Sequence, residues 1–147
     1  MTRVHVNHEG FPEAPRDRLE AAVRHTLEEE RAPESEISVT LLDDAGIRVL
    51  NRDYLDEDRP TDVLSFSLGD EDSPLGDVYI GVEQARRQAA ERGIALDEEL
   101  VRLSVHGTLH VLGYDHPDGP DREASPMFLR QEELVRSVLD GPSGDIR

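Results

Sequence analysis

Residues 97–112, DEELVRLSVHGTLHVL, constrain the fold more than any other stretch of this chain. At roughly 100° per residue along a helix, Val101, Val105, Leu109 and Leu112 share one side, and Leu100, Leu103 and Val111 share another. A helix that is apolar around most of its circumference has to be buried, with other elements packed on several sides. Yet His106 and His110 lie on this helix, about 40° apart and one turn apart in height. The chain must therefore build a core around a central helix and bring two imidazoles to its end.

The flanking segments supply the layers. RVHVNH (3–8) alternates apolar and polar residues as a half-buried strand does. Residues 16–31 place Leu19, Ala22, Val23 and Leu27 at helical spacing, and ISVTLL (37–42) reads as a strand. DDAGIRVLNRDYL (43–55) opens on an Asp cap and reads as a short helix with Ile47, Leu50 and Tyr54 on its buried face. After the loop 55–62 come the strand VLSFSL (63–68), an acidic turn, and the strand DVYIGV (77–82). EQARRQAAER is a helix stopped by Gly93. The central helix follows with Asp97 as its cap, then a last helix over about 122–139, and residues 140–147 as a frayed tail. The expected fold is α+β: a single domain over 1–147, with a mixed sheet of about four strands covered by about five helices. The order of the strands does not follow from the sequence.

The chain of 147 residues has no cysteine, which excludes disulfides and thiolate metal sites. It shows no apolar run of the ~18–20 residues a membrane span needs, and its N-terminus lacks the apolar segment of a signal peptide. A cytoplasmic protein with no membrane partner is expected. Asp and Glu number 33 against 16 basic residues, all of them arginine, for a formal net charge of −17. Such a surface repels nucleic acid at long range. Charge alone argues against an RNA or DNA partner unless the protein works in high salt, where repulsion is screened to a few ångströms. A GC-rich genome favouring arginine, with a solvated acidic face, accounts for the same composition.

His106 and His110, at i and i+4, can reach one metal ion. Gly113 can end the helix in a left-handed conformation and turn the chain back, bringing His116 to the same point. This H-x3-H-x5-H pattern, with glycine before the third histidine, matches the metal-binding spacing of metzincin proteases. Three imidazoles around one Zn2+ per chain leave a fourth position open for water, the catalytic rather than the structural arrangement. A closed structural site would need a fourth protein ligand, for which Asp115 is the nearest candidate. Zinc peptidases use a glutamate directly after the first histidine as general base, and this chain has Gly107 there. Peptide hydrolysis by that route is not expected. The glycine points to close approach by a strand, the metal or a substrate, or to a plain packing requirement. His5, His8 and His25 read as ordinary surface residues.

HGTLHVLGYDH (106–116) resembles the signature of the bacterial YbeY family, zinc-dependent endoribonucleases of ribosomal RNA maturation. RPTDVLSFSL (59–68), LGDVYIGVEQARRQA (75–89) and EELVRLSVHG (98–107) are similar to other blocks of that family in the same order, so the likeness spans roughly residues 37 to 135. The resemblance implies that His106, His110 and His116 bind zinc. It also implies a single-strand-specific endoribonuclease acting in 16S rRNA 3′-end maturation and ribosome quality control. The partners it implies are ribosomal RNA and the small ribosomal subunit, with a ribosomal protein as a further candidate and no DNA. Many members carry an arginine directly after the tyrosine of an N-x-x-Y block; the matching NRDYL (51–55) has Leu55 there. Arg59, the nearest cation on the C-terminal side, is the candidate phosphate contact, with Arg52 and Arg48 as alternatives.

The expected reaction is hydrolysis of an RNA phosphodiester, with the metal activating water or a phosphoryl oxygen and an arginine offsetting transition-state charge. The ribose 2′-OH is an alternative nucleophile. Asp115 and Glu83 are the carboxylates to inspect as general base. A non-catalytic, zinc-stabilised ribosome assembly factor is the competing reading, and a metallopeptidase a weaker one.

Overall fold

In the computed structural model, which describes residues 1–140, a four-stranded mixed sheet packs against helices gathered around one central helix. The elements run β1 (Arg3–Asn7), α1 (Arg16–Glu29), β2 (Glu36–Leu42), α2 (Asp44–Leu55), β3 (Val63–Ser67), β4 (Leu75–Gly81), α3 (Val82–Arg92), α4 (Leu96–Val111) and α5 (Pro126–Asp140). A single 3-10 turn, Arg122–Ala124, precedes α5. The spatial order is β1-β2-β4-β3. The pairs β1–β2 and β2–β4 are parallel, and β3 runs antiparallel to β4. One face of the sheet buries Val4, Val6, Ile37, Val39, Leu41, Val78 and Ile80 under the helices, while Ser38, Thr40 and Tyr79 alternate with them and stay half-exposed.

The expected α+β class, mixed four-strand sheet and five helices are all present, and α4 is the central helix. It lies across β3 and β4, with α1, α3 and α5 packed around it. Leu100, Val101, Val105 and Leu109 are at most 1% exposed. Full burial of each such side chain contributes about 1.5–3 kcal/mol. The helix buries Ser104 and Thr108 as well, and each hydroxyl donates to the carbonyl four residues back (Leu100, 2.9 Å; Ser104, 2.8 Å). Among the described residues no helix is long and apolar enough to cross a membrane.

Several local expectations are corrected. α4 begins one residue before Asp97 and is flanked by Ala95 without a side-chain cap; Asp97, Glu98 and Glu99 crowd its first turn instead, where the helix dipole favours acids. Tyr54 is 67% exposed rather than buried, because α2 packs on Ile47 and Asn51 and leaves its last turn outside the core. The Asp cap of α2 is as expected, Asp43 Oδ1 accepting from Gly46 N at 2.7 Å. The last helix starts at Pro126, not 122, since Arg122–Ala124 forms the separate turn. Asp140 ends α5, and the rest of the expected tail lies outside the described residues.

Candidate metal centre

The C-terminal end of α4 builds the site. Leu112 closes the helix, Gly113 (φ +105°) turns left-handed, and the bonds Gly113 N–His110 O (3.0 Å) and Tyr114 N–Leu109 O (3.0 Å) lock the reversal. This is the glycine-ended cap that terminates many helices. Here it also returns His116 to the helix axis. His106 and His110 stand face to edge with ring centroids 4.7 Å apart, and His116 is tilted toward both, 5.3 Å from His106 and 5.1 Å from His110. One ring nitrogen from each lies within 4.8 Å of the others.

The second nitrogen of each ring is already engaged. His106 Nδ1–H donates to Gln131 Oε1 (2.6 Å), His110 Nδ1–H to the Tyr114 carbonyl (3.0 Å), and His116 Nδ1–H to the Pro117 carbonyl (3.1 Å). A carbonyl oxygen only accepts, so each bond fixes the Nδ1–H tautomer and leaves the Nε2 lone pair for a metal. Burial pushes His106 down to about 4, against the opposing bond from Gln131; the neighbouring His110 and His116 add to the lowering and Asp62 opposes it. Burial also lowers His110. Both rings are thus neutral near pH 7, the form that ligates. Three ring nitrogens with supported orientations fit a zinc ion with an open fourth position.

Gln131 is itself held: its Nε2 donates to Glu132 Oε2 (3.0 Å), which accepts from Arg102 Nε (2.8 Å). Sequence reading missed Gln131, a residue 25 positions from His106 on a different helix. Its polar side chain on the core side of α5, only 2% exposed, was the available signal. Gly107 is explained by packing. A Cβ there would meet Val78 Cγ1 at 2.4 Å and Ser65 Oγ at 3.1 Å, so position 107 faces the sheet rather than the metal. Of the alternatives open from sequence, close approach by a strand is the one the structure bears out. A glutamate at 107 would have to displace β4.

The histidines open into a cleft of about 770 Å³ whose other wall is the loop after α2. Leu55 and Arg59 line it, so the position of the expected arginine does face the cleft and carries an apolar side chain. Asn51 Nδ2 pins this loop through the Arg59 carbonyl (2.9 Å). Arg59 pairs with Glu57 (3.5 Å) and is 72% exposed; Arg52 pairs with Asp53 and Arg48 with Asp58 at the surface. Neither inspected carboxylate is in the cleft wall. Glu83 Oε1 accepts from Asp44 N (3.4 Å) at the start of α2, and Asp115 Oδ1 accepts from His116 N (2.9 Å). Asp115 stands outside the histidine cluster, and among the described residues no carboxylate joins it as a fourth ligand. The carboxylates that do line the cleft are Glu57, Asp62 and Asp118. His5 meets Glu36 at the surface, and His8 bonds the Phe11 carbonyl. His25 is not a plain surface residue: α1 packs against α4 and α5, and His25 Nε2 is buried without a partner among the described residues.

The family described as Endoribonuclease YbeY matches residues 5–139. The chain belongs to the YbeY family. That match reaches well before residue 37, where the sequence motifs begin. An Endoribonuclease YbeY from Desulfitobacterium hafniense is 52% identical over 117 residues, covering 72% of this chain and 73% of that protein. One from Persephonella marina is 41% identical over 145 residues, 94% of each. The solution structure of TM1509 from Thermotoga maritima aligns with a TM-score of 0.61 at 30% identity, covering 94% of this chain and 89% of that one.

Proposed function

We propose that this YbeY-family chain is a zinc-dependent, single-strand-specific endoribonuclease that acts in the cytoplasm on the 3′ end of 16S rRNA and in ribosome quality control. The observation that carries the reading is the convergence of three Nε2 lone pairs at one side of an open cleft, in a chain of this family. His106, His110 and His116 hold one Zn2+, which when bound supplies Lewis acidity toward a water or a phosphoryl oxygen. Gln131 and the Tyr114 and Pro117 carbonyls orient the rings. Arg59, at the mouth of the cleft, meets the incoming RNA phosphate. The acidic surface makes docking on the small ribosomal subunit a local, salt-screened event, to which a ribosomal protein can contribute.

The test is metal content together with cleavage of single-stranded RNA at two salt concentrations, for wild type and His106→Ala. The expected result is one zinc per wild-type chain, and a folded variant that loses the metal and at least ~1000-fold of the cleavage rate. Equal cleavage by both proteins would remove the nuclease reading. A variant that unfolds along with losing its metal would favour the assembly-factor role.

A further inference from the structure

Arginines in this acidic chain are mostly spent on carboxylates. Arg16, Arg18, Arg24, Arg48, Arg52, Arg59, Arg87, Arg92, Arg102 and Arg130 all make ion pairs. Arg122 differs. It lines the histidine cleft, makes no ion pair among the described residues, and its Nε is buried without a hydrogen-bond partner. Its guanidinium carbon lies 5.0 Å over the ring of Phe128. That ring packs edge-on against His106 (centroids 5.6 Å) and His116 (5.5 Å). A stacked guanidinium keeps its donor edge free, and its fork of N–H groups matches the paired oxygens of a phosphate.

We infer that Arg122 is the residue that binds the reacting phosphate beside the histidines, in the place left open by Leu55. The inference rests on the nuclease reading above and divides the two cleft arginines by position. Arg59, exposed and paired with Glu57, meets the strand at the mouth. Arg122, anchored on the ring that touches two of the three imidazoles, meets the group undergoing reaction. The anchor also explains why an arginine from a different segment can serve: it comes from the turn after His116, not from the end of α2. Charge donated there acts where negative charge develops in the transition state.

Zinc-loaded Arg122→Met, Arg122→Lys and, as control, Arg136→Gln on the exposed side of α5 test the inference. Arg122→Met keeps an unbranched chain over Phe128 without charge, and Arg122→Lys keeps the charge. The expected result is a loss of about 100-fold in kcat for Arg122→Met. Arg122→Lys should recover a substantial part of it, with zinc content unchanged in both and Arg136→Gln at the wild-type rate. In parallel, inorganic phosphate is titrated into zinc-loaded wild type while the Arg122 Nε–H signal is followed by NMR; the signal should shift and saturate. Wild-type kcat in Arg122→Met, or equal losses in the Met and Lys variants, would overturn the inference while leaving the nuclease reading intact. So would an Nε–H signal indifferent to phosphate, which decides the matter even if the variants fail to fold. Wild type that binds phosphate at Arg122 yet cleaves no RNA would sink the nuclease reading and keep the anion site.

Discussion

The two ends of α4 use the same kinds of residue in opposite ways. At its N-terminal end every buried charge is paired. Glu99, 1% exposed, accepts from Gln88 (2.7 Å), Arg92 (3.2 Å) and Arg102 (3.4 Å), and Arg102 grips Glu132 through two further bonds (2.8 and 3.0 Å). At its C-terminal end one nitrogen of each of three imidazoles converges with the others, and the nearby Arg122 Nε is buried with no hydrogen-bond partner among the described residues. Folding stability asks that buried polar groups be satisfied. Where a fold leaves several neighbouring groups unsatisfied on one open cleft, that capacity is available to a ligand. Gln131 joins the two ends, since it bonds His106 on one side and the Arg102–Glu132 pair on the other.

The sharpest way to break this contrast is at the paired end. Glu99→Ala removes the shared acceptor of three donors and should cost about 3 kcal/mol in urea denaturation, with zinc affinity unchanged. A loss of zinc affinity as large as the loss of stability would show that the two ends are not separable. Next comes the joint between them. Gln131→Leu frees the His106 ring and should weaken zinc binding 10- to 100-fold by competition with a chelator, with a smaller effect on folding. Unaltered zinc affinity there would remove the orienting role given to Gln131.

The smallest effect comes from pH on the metal-free protein. An unfolded histidine binds its proton near 6.5, whereas folded His106 does so only near about 4. Between these values the unfolded chain holds more protons, so stability is complete above pH 6.5 and falls as pH drops toward 4. At pH 5.5 the loss due to His106 should be about 1 kcal/mol relative to pH 7. Carboxylates stay ionised over most of that interval, which keeps the histidine effect visible. Imidazole NMR supplies the direct check: a His106 ring that titrates near 6.5 in the folded apoprotein contradicts the burial argument.

Much of this was legible in the sequence. The apolar circumference of residues 97–112 requires a central helix, and the i, i+4 histidines followed by Gly113 call for a turn that brings His116 back to them; both depend only on spacing along a few turns of chain. Tyr54 misled because helical periodicity tells which residues share a face, not how far a neighbour extends to cover it. Asp97 misled for a related reason: the helix simply starts one residue earlier, and its acids serve the first turn instead of capping it. Glu83 and Asp115 lie outside the cleft wall, while the carboxylates in it, Glu57, Asp62 and Asp118, come from loops that only folding brings there.

Sequence by itself determined the fold class, the family and the clustering of His106, His110 and His116, because each is written in local spacing or in contiguous motifs. Tertiary structure alone decided the strand order, the packing of Val78 against position 107, the Gln131 support of His106 and the placing of Arg122 over Phe128. These are contacts between segments distant in the chain, and nothing in the local pattern of either partner specifies the other.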